Sequence, residues 1–245
     1  MLIISAHKSD KGQRPYNEDY IWLDEDARLF ILADGVGGND AGDVASRLAA
    51  STIGPIIANQ LNEKPHSTTA AIKEIITTAI ETANAIIYDE AHKAQQKRKM
   101  GTTIVLALIQ AGTAYICHAG DSRAYHLHGN ALTQLTKDHS WLEEFGGGQA
   151  AANNGEKSPL ESALTKSIGQ DSAVEPSFTQ VSLASEDWLL LCTDGLWRLL
   201  SHDQLKATLK AAGDSPDRAV AALMGKALAV GPDDNLSLIA LKMVD

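Results

Sequence analysis

Apolar residues along this chain fall into two kinds of run. Short stretches of strand length are almost unbroken: residues 29–33, 102–109, 113–120, 188–193 and 236–243. Their length and lack of a helical period predict strands buried on both faces. Residues 2–7, 20–23 and 122–129 are shorter or more polar and also read as strands. Longer stretches place apolar residues every three or four positions. Residues 41–61 carry Val44, Leu48 and Ala49 at helical spacing, and residues 67–97 carry Ile72, Ile75, Ile76, Ala79, Ala83 and Ile86 on one stripe. Residues 202–212 and 216–229 complete four predicted helices. The three runs between 102 and 129 are separated by tight Gly turns and predict an antiparallel meander. Residues 146–159, GGGQAAANNGEKSP, have the composition of a mobile surface loop inserted in one domain. Long helices beside antiparallel strands make the fold class α+β, a sheet sandwich with outer helices.

Two of the apolar runs end in Asp-Gly, at Asp34-Gly35 and Asp194-Gly195. Each predicts a buried strand that presents an aspartate at its last position before the glycine turns the chain away. Either dipeptide alone is an ordinary turn signature. Together with Glu18-Asp19, Asp121 and Asp234 they place several carboxylates at strand ends and tight turns. Two carboxylates about 5 Å apart repel by roughly 3 kcal/mol at an effective dielectric near 20. A cluster therefore needs divalent cations, and all-oxygen ligands favour Mg²⁺ or Mn²⁺ over Zn²⁺ or copper. Two such ions sharing a carboxylate and a hydroxide make a nucleophile at neutral pH, and Arg14 nearby suits a bidentate grip on phosphate. The Gly-rich GVGGND lacks the last glycine of a dinucleotide loop, because Asp40 stands there.

Composition narrows the partners. The chain has 245 residues, 44% of them hydrophobic, and a formal net charge of −10. That balance disfavours nucleic acid or an anionic membrane as a partner. No apolar run reaches membrane-spanning length, and MLIIS is too short for a secretory core. Two cysteines, Cys117 and Cys192, lie in apolar runs and read as buried, reduced thiols, so the expected location is cytoplasmic. Lys97-Arg98-Lys99 reads as a solvated helix end. Trp22, Trp188 and Trp197 read as packing residues, His118 as a core histidine and His139 as structural.

The ordered set Arg14-Pro15-Tyr16-Asn17-Glu18-Asp19, Asp34-Gly35-Val36-Gly37-Gly38, Gly101-Thr102-Thr103, Gly120-Asp121-Ser122-Arg123, Asp194-Gly195-Leu196 and Asp234-Asn235 resembles the metal-dependent protein phosphatase 2C family. The resemblance runs from residue 12 to the end and is closest to short bacterial members. It implies a four-layer αββα sandwich of two antiparallel sheets flanked by helix pairs, in one catalytic domain spanning 1–245 with a flap-like insertion at about 141–170. It implies a serine/threonine phosphatase that cleaves phosphoserine and phosphothreonine by direct attack of a metal-bridging hydroxide, with two Mn²⁺ or Mg²⁺ ions. Residue by residue, Asp34 matches the bridging carboxylate and Gly35 a backbone carbonyl ligand. Asp194 and Asp234 match ligands of one metal, Glu18 and Asp19 the acidic pair beside the metals, and Arg14 the phosphate-binding arginine. Asp121 matches a ligand of a third metal.

Two positions depart from the family. Val36 replaces the histidine that eukaryotic members carry as a candidate general acid, so water or another group protonates the leaving oxygen. Arg198 stands where an acid or Asn is common, and a cation cannot bind metal; the third ion is left open. The expected partners are phosphorylated proteins and a cognate Ser/Thr kinase, with the chain a monomer. A pseudophosphatase that binds a phosphoprotein or kinase without turnover and a small-molecule phosphatase are the alternative readings.

Overall fold

The strands that read as unbroken apolar runs are buried on both faces, and the two faces belong to different cores. The computed structural model describes residues 1–37, 41–64, 67–93, 100–145 and 163–245. In chain order its elements are β1 (Leu2–Asp10), β2 (Asp19–Asp24), β3 (Leu29–Gly37), α1 (Ala41–Glu63), α2 (Thr69–Lys93), β4 (Met100–Thr102), β5 (Ile104–Gln110), β6 (Thr113–Ala119) and β7 (Arg123–His128). Then follow β8 (Ala131–Gln134), α3 (Trp141–Phe145), β9 (Ser177–Ser182), β10 (Trp188–Cys192), α4 (Asp194–Trp197), α5 (His202–Ala211), α6 (Pro216–Val230) and β11 (Leu236–Val244). One antiparallel sheet has the order β1-β11-β10-β7-β8, the other β2-β3-β5-β6-β9 with β4 paired to β3.

Side-chain alternation sorts the residues into layers. On β3, Leu29, Ile31 and Ala33 pack with α1 and α2, while Phe30 and Leu32 point between the sheets. On β10, Leu190 and Cys192 face α5 and α6, while Leu189 and Leu191 meet Phe30 and Leu32 in the inter-sheet layer. The result is the expected four-layer sandwich of two antiparallel sheets flanked by helix pairs. Helix ends follow local chemistry. Ser201 caps α5 in a reciprocal box with Gln204, and Ser215 caps α6, which begins at Pro216 and ends at Gly231 in the left-handed region. Cys117 and Cys192 are free and buried, and burial pushes the Cys117 thiol up to about 12.

Ile86, expected on the apolar stripe of α2, is exposed, and Ile87 is buried instead. Three expectations about the strands also change. The run 102–109 is broken at Thr103 into β4 and β5, because the Thr103 side chain turns to the site described below. The meander stops at β6: β7 leaves for the other sheet and pairs with β10 and β8. Gly120, at φ 112°, makes that crossing possible. Most consequential, β3 does not end at Asp34. It runs through Gly35 to Gly37 and pairs with β4. Lys97-Arg98-Lys99 and the loop 146–159 lie outside the described residues, as does most of the predicted flap. Its flanks are tied down by bridges from Ser140 to Leu164 and from Thr102 to Ile168.

Candidate active site

Asp19 and Asp34 are direct partners across β2 and β3, which sets their Cβ atoms about 5 Å apart. Asp194 opens α4, directly after β10, and Asp234 precedes β11. A cleft of 360 Å³ at this edge of the sandwich is lined by Glu18, Asp34, Asp121, Asp194 and Asp234, with Gly35, Val36, Arg14 and Arg198 on its walls. Asp19 is buried. The structure thus brings every predicted acidic residue, the predicted arginine and both departing positions to one place.

Backbone contacts hold this edge. Asp34 O accepts from Thr103 N at 2.8 Å and from Thr102 Oγ1 at 2.8 Å, while Asp34 N donates to Thr103 Oγ1 at 3.1 Å. Gly35 N donates to Glu18 O at 3.1 Å. A Cβ on Gly35 would collide with the Gly42 carbonyl and lie 2.7 Å from Glu18 O. A Cβ on Gly42 would lie 2.7 Å from the Glu18 carboxylate. The first turn of α1 therefore packs against the Glu18–Gly35 pair through two glycines that leave no room for a methyl group.

Crowding raises the carboxyl groups. Burial first, then Asp19, Asp194, Asp121 and Asp234, hold Asp34 well above the ordinary carboxylate range. Burial likewise pushes Asp19 up to about 7, against hydrogen bonds from Ser237 and Thr193. Asp121 is pushed up to about 7 by burial and Asp194, with Arg198 opposing. Asp194 is raised by burial, with Arg198 again opposing and Asp234 adding to the rise. Such a set is the signature of a site designed around positive charge. Asp19 Oδ1 is buried and lacks a hydrogen-bond partner among the described residues. An orphaned carboxylate oxygen inside an all-oxygen donor set fits a hard divalent cation such as Mg²⁺ or Mn²⁺.

Two guanidinium groups flank the acids. Arg14 stands at the mouth, with Nη2 on Asp234 Oδ2 at 3.0 Å and Nε on the Asp233 carbonyl at 2.9 Å. Arg198, one helical turn after Asp194, reaches Asp194 Oδ2 through Nε at 2.8 Å and Asp121 Oδ2 through Nη2 at 3.2 Å. Its charge spans the two carboxylates.

A model of the protein phosphatase 2C family matches residues 10–212. The chain belongs to the protein phosphatase 2C family. It is 35% identical to the protein phosphatase PhpP of Streptococcus pneumoniae over 208 residues, covering 81% of this chain and 80% of that one. It is 30% identical to the serine/threonine phosphatase stp of Listeria monocytogenes over 241 residues, covering 96% and 94% of the two chains. Its fold superposes with a TM-score of 0.82 on the catalytic domain of the serine/threonine phosphatase PstP in complex with two manganese ions, at 27% identity over 100% of this chain and 99% of that one.

Several supports of this protein phosphatase 2C site escape sequence reasoning. Asn235 is the clamp of the Arg14–Asp19 loop: its Nδ2 donates to the Lys11 and Tyr16 carbonyls, each at 2.9 Å, and its Oδ1 accepts from Glu18 N at 2.8 Å. Its place directly after Asp234 was the only signal. Thr193 Oγ1 donates to Asp19 Oδ2 at 3.1 Å and accepts from Ser237 N at 2.9 Å, tying the two sheets together under the site. Trp197 does more than pack. Its Nε1 donates to Asp121 O at 2.9 Å, and the Arg123 guanidinium lies 3.4 Å over its ring. Arg123 in turn forks onto Asp138 at 2.9 and 2.7 Å. His139 stacks on His118, accepts from Gly120 N at 3.2 Å, and is pushed down to about 3 by burial, then by His118 and Lys166. Both rings are neutral props beneath the Gly120–Asp121 turn.

Proposed function

We propose that this protein removes phosphate from phosphoserine and phosphothreonine in proteins, with two Mn²⁺ or Mg²⁺ ions held by Glu18, Asp19, Asp34, the Gly35 carbonyl, Asp194 and Asp234. The observation that carries the reading is the carboxylate cleft itself, beside which the buried Asp19 Oδ1 lacks a partner among the described residues, in a chain of this family. When bound, the ions supply an activated water and positive charge for the phosphoryl oxygens. The chain's own residues do the rest. Arg14, held at the mouth by Asp234 and the Asp233 carbonyl, presents N–H donors in a planar fork that suits phosphoryl oxygens. Asp34 and Asp194, both raised by burial, would hold the cations as deprotonated carboxylates. Val36 lines the cleft without a titratable group, so the leaving alkoxide takes its proton from water or another group rather than from position 36. Arg198 supplies between Asp121 and Asp194 the charge that a third ion would bring, so two ions suffice.

The relatives named protein phosphatase and serine/threonine phosphatase support the substrate class. The chain works as a monomer in the cytoplasm against a Ser/Thr kinase. Among the described residues no helix is long and apolar enough to cross a membrane. The test is a phosphate-release assay on phosphoserine and phosphothreonine peptides and on sugar phosphates. Release from peptides that starts with Mn²⁺ or Mg²⁺ and stops with excess chelator is the expected outcome. Undiminished turnover in chelator, or peptide binding without release under any metal, overturns the reading.

A further inference from the structure

A second cluster of metal-ligating side chains lies away from the acidic cleft. His126 and His128 are two apart on β7 and so project from the same face of the strand. Trp188 pairs with Leu127 across β7 and β10, which places Asp187 beside His128. The carboxylate is buried and meets both rings: His126 Nε2 lies 2.9 Å from Asp187 Oδ2, and His128 Nδ1 lies 2.8 Å from Asp187 Oδ1. Ala184 N donates to Oδ2 at 2.9 Å and fixes the carboxylate's orientation. One ligand atom from each of the three residues falls within 4.8 Å of the others.

The strand sets the distance from the cleft. Arg123 begins β7 beside Trp197 and Asp121, and His128 ends it. Five residues at 3.3 Å per residue separate the two ends by roughly 17 Å. The donor sets differ as well. The cleft offers only oxygen, whereas this cluster offers two imidazole nitrogens and one carboxylate, which select zinc-like transition ions over Mg²⁺.

We propose that His126, His128 and Asp187 form a site for a transition-metal ion of the Zn²⁺ class, separate from the catalytic cleft. Ligands about 2.0–2.1 Å from a tetrahedral zinc stand roughly 3.3 Å from one another. The hydrogen bonds of 2.8 and 2.9 Å run to different oxygens of the carboxylate, and one ligand atom from each residue falls within 4.8 Å of the others, so the cluster draws together on loading. His128 can make that movement, because its side chain is 68% exposed. The exposed side also admits the ion and leaves a fourth position for water. On binding, each neutral ring carries its proton on the nitrogen that faces away from the ion. The Ala184 N–H bond is the outer-shell contact that steadies a ligating carboxylate. A bound ion ties the end of β7 to the turn before β10 and stabilises the folded state by mass action.

The test uses the full chain saturated with Mn²⁺, given excess Zn²⁺, passed through a desalting column and analysed for both metals. Wild type should retain one equivalent of zinc beyond whatever enters the cleft. His128→Ala, at an exposed position that leaves the fold intact, should weaken that retention by at least about 100-fold. A zinc-dependent rise in melting temperature should appear in wild type and vanish in His128→Ala. Imidazole ¹⁵N shifts of His126 and His128 on zinc addition give a readout independent of any variant. Equal zinc retention by wild type and His128→Ala, or unmoved imidazole signals, overturns the proposal.

Discussion

The two Asp-Gly segments look alike in sequence and do different things in space. At Asp34-Gly35 the strand carries straight on, and the aspartate projects from the middle of a paired β3. At Asp194-Gly195 the strand stops and the aspartate opens the short helix α4, which brings Arg198 back onto it one turn later. What the segments share is the reason for the glycine. Neither Gly35 nor Gly195 has a positive φ, so neither serves to turn the chain. At each, another backbone passes so close that no Cβ fits: the Gly42 carbonyl over Gly35 and the Asn235 carbonyl over Gly195. Asp34 is thus fixed on a rigid ladder among other carboxylates, and Asp194 on a helical turn with a cation of its own.

Neutralising each aspartate tests that difference most severely. Asp34→Asn and Asp194→Asn should each lower kcat by about 10³-fold or more, as expected when a group that holds cationic charge at the reacting phosphoryl is lost. Their stabilities should diverge. Without metal, Asp34→Asn removes a half-buried carboxyl crowded by four others and should melt higher than wild type in chelator. Asp194→Asn leaves Arg198 with one carboxylate fewer and should gain less. Thermal melts with and without Mn²⁺ read both; equal gains would erase the distinction between the segments.

The glycines come next. Gly35→Ala and Gly195→Ala each force a backbone apart and should cost about 1–3 kcal/mol of stability, measured by urea unfolding. Gly35→Ala moves α1 against the Glu18 pair and should also reduce activity. If either alanine proves neutral, the close approach is not what selects glycine there.

These positions also mark the limit of what could be read from the chain. The doubly buried strands and the four long helices were legible because both faces of each strand, and one stripe of each helix, had to be apolar. β8 and β9 were not, because most of their side chains are exposed or half-buried and their sequences, ALTQ and SFTQVS, carry no apolar run. The acidic residues were legible because a carboxylate at the end of an apolar run is expensive. Asn235, Thr193 and Trp197 were not, since their work is done through single hydrogen bonds to groups far away in sequence. The continuity of β3 through Gly35 was hidden for the same reason: the carbonyl that demands glycine belongs to another element.

Protonation separates the cleft from the rest of the fold. Asp19 is held up to about 7 and Asp34 well above its ordinary value. Folded protein then binds more protons than unfolded protein between about pH 4 and 7, so stability in chelator should fall as pH rises through that window. The slope is about 1.4 kcal/mol per pH unit for each proton fully linked. The stacked His118 and His139 act oppositely: their values are lowered, so their contribution is lost as pH falls below about 6.5. Mn²⁺ should flatten the first trend and leave the second untouched. A chelated protein whose stability did not fall from pH 5 to 7 would contradict the picture of a cleft that folds against its own charge.

Arg198 is the finest discriminator, because it exists on only one side of the comparison. Its guanidinium joins Asp194 to Asp121 and opposes the rise of both carboxyls. Arg198→Ala removes that charge while leaving every oxygen donor in place. The variant should lose only a few-fold in kcat, about 1 kcal/mol of transition-state stabilisation. Its metal stoichiometry should change instead. Two carboxylates freed of their cation should take up one further Mn²⁺ at millimolar concentration, which calorimetric titration would register as a third, weak equivalent missing from wild type. A third equivalent already present in wild type would mean that Arg198 shares the space between Asp121 and Asp194 rather than filling it. The asymmetry between the two Asp-Gly segments would then lie in their backbones alone.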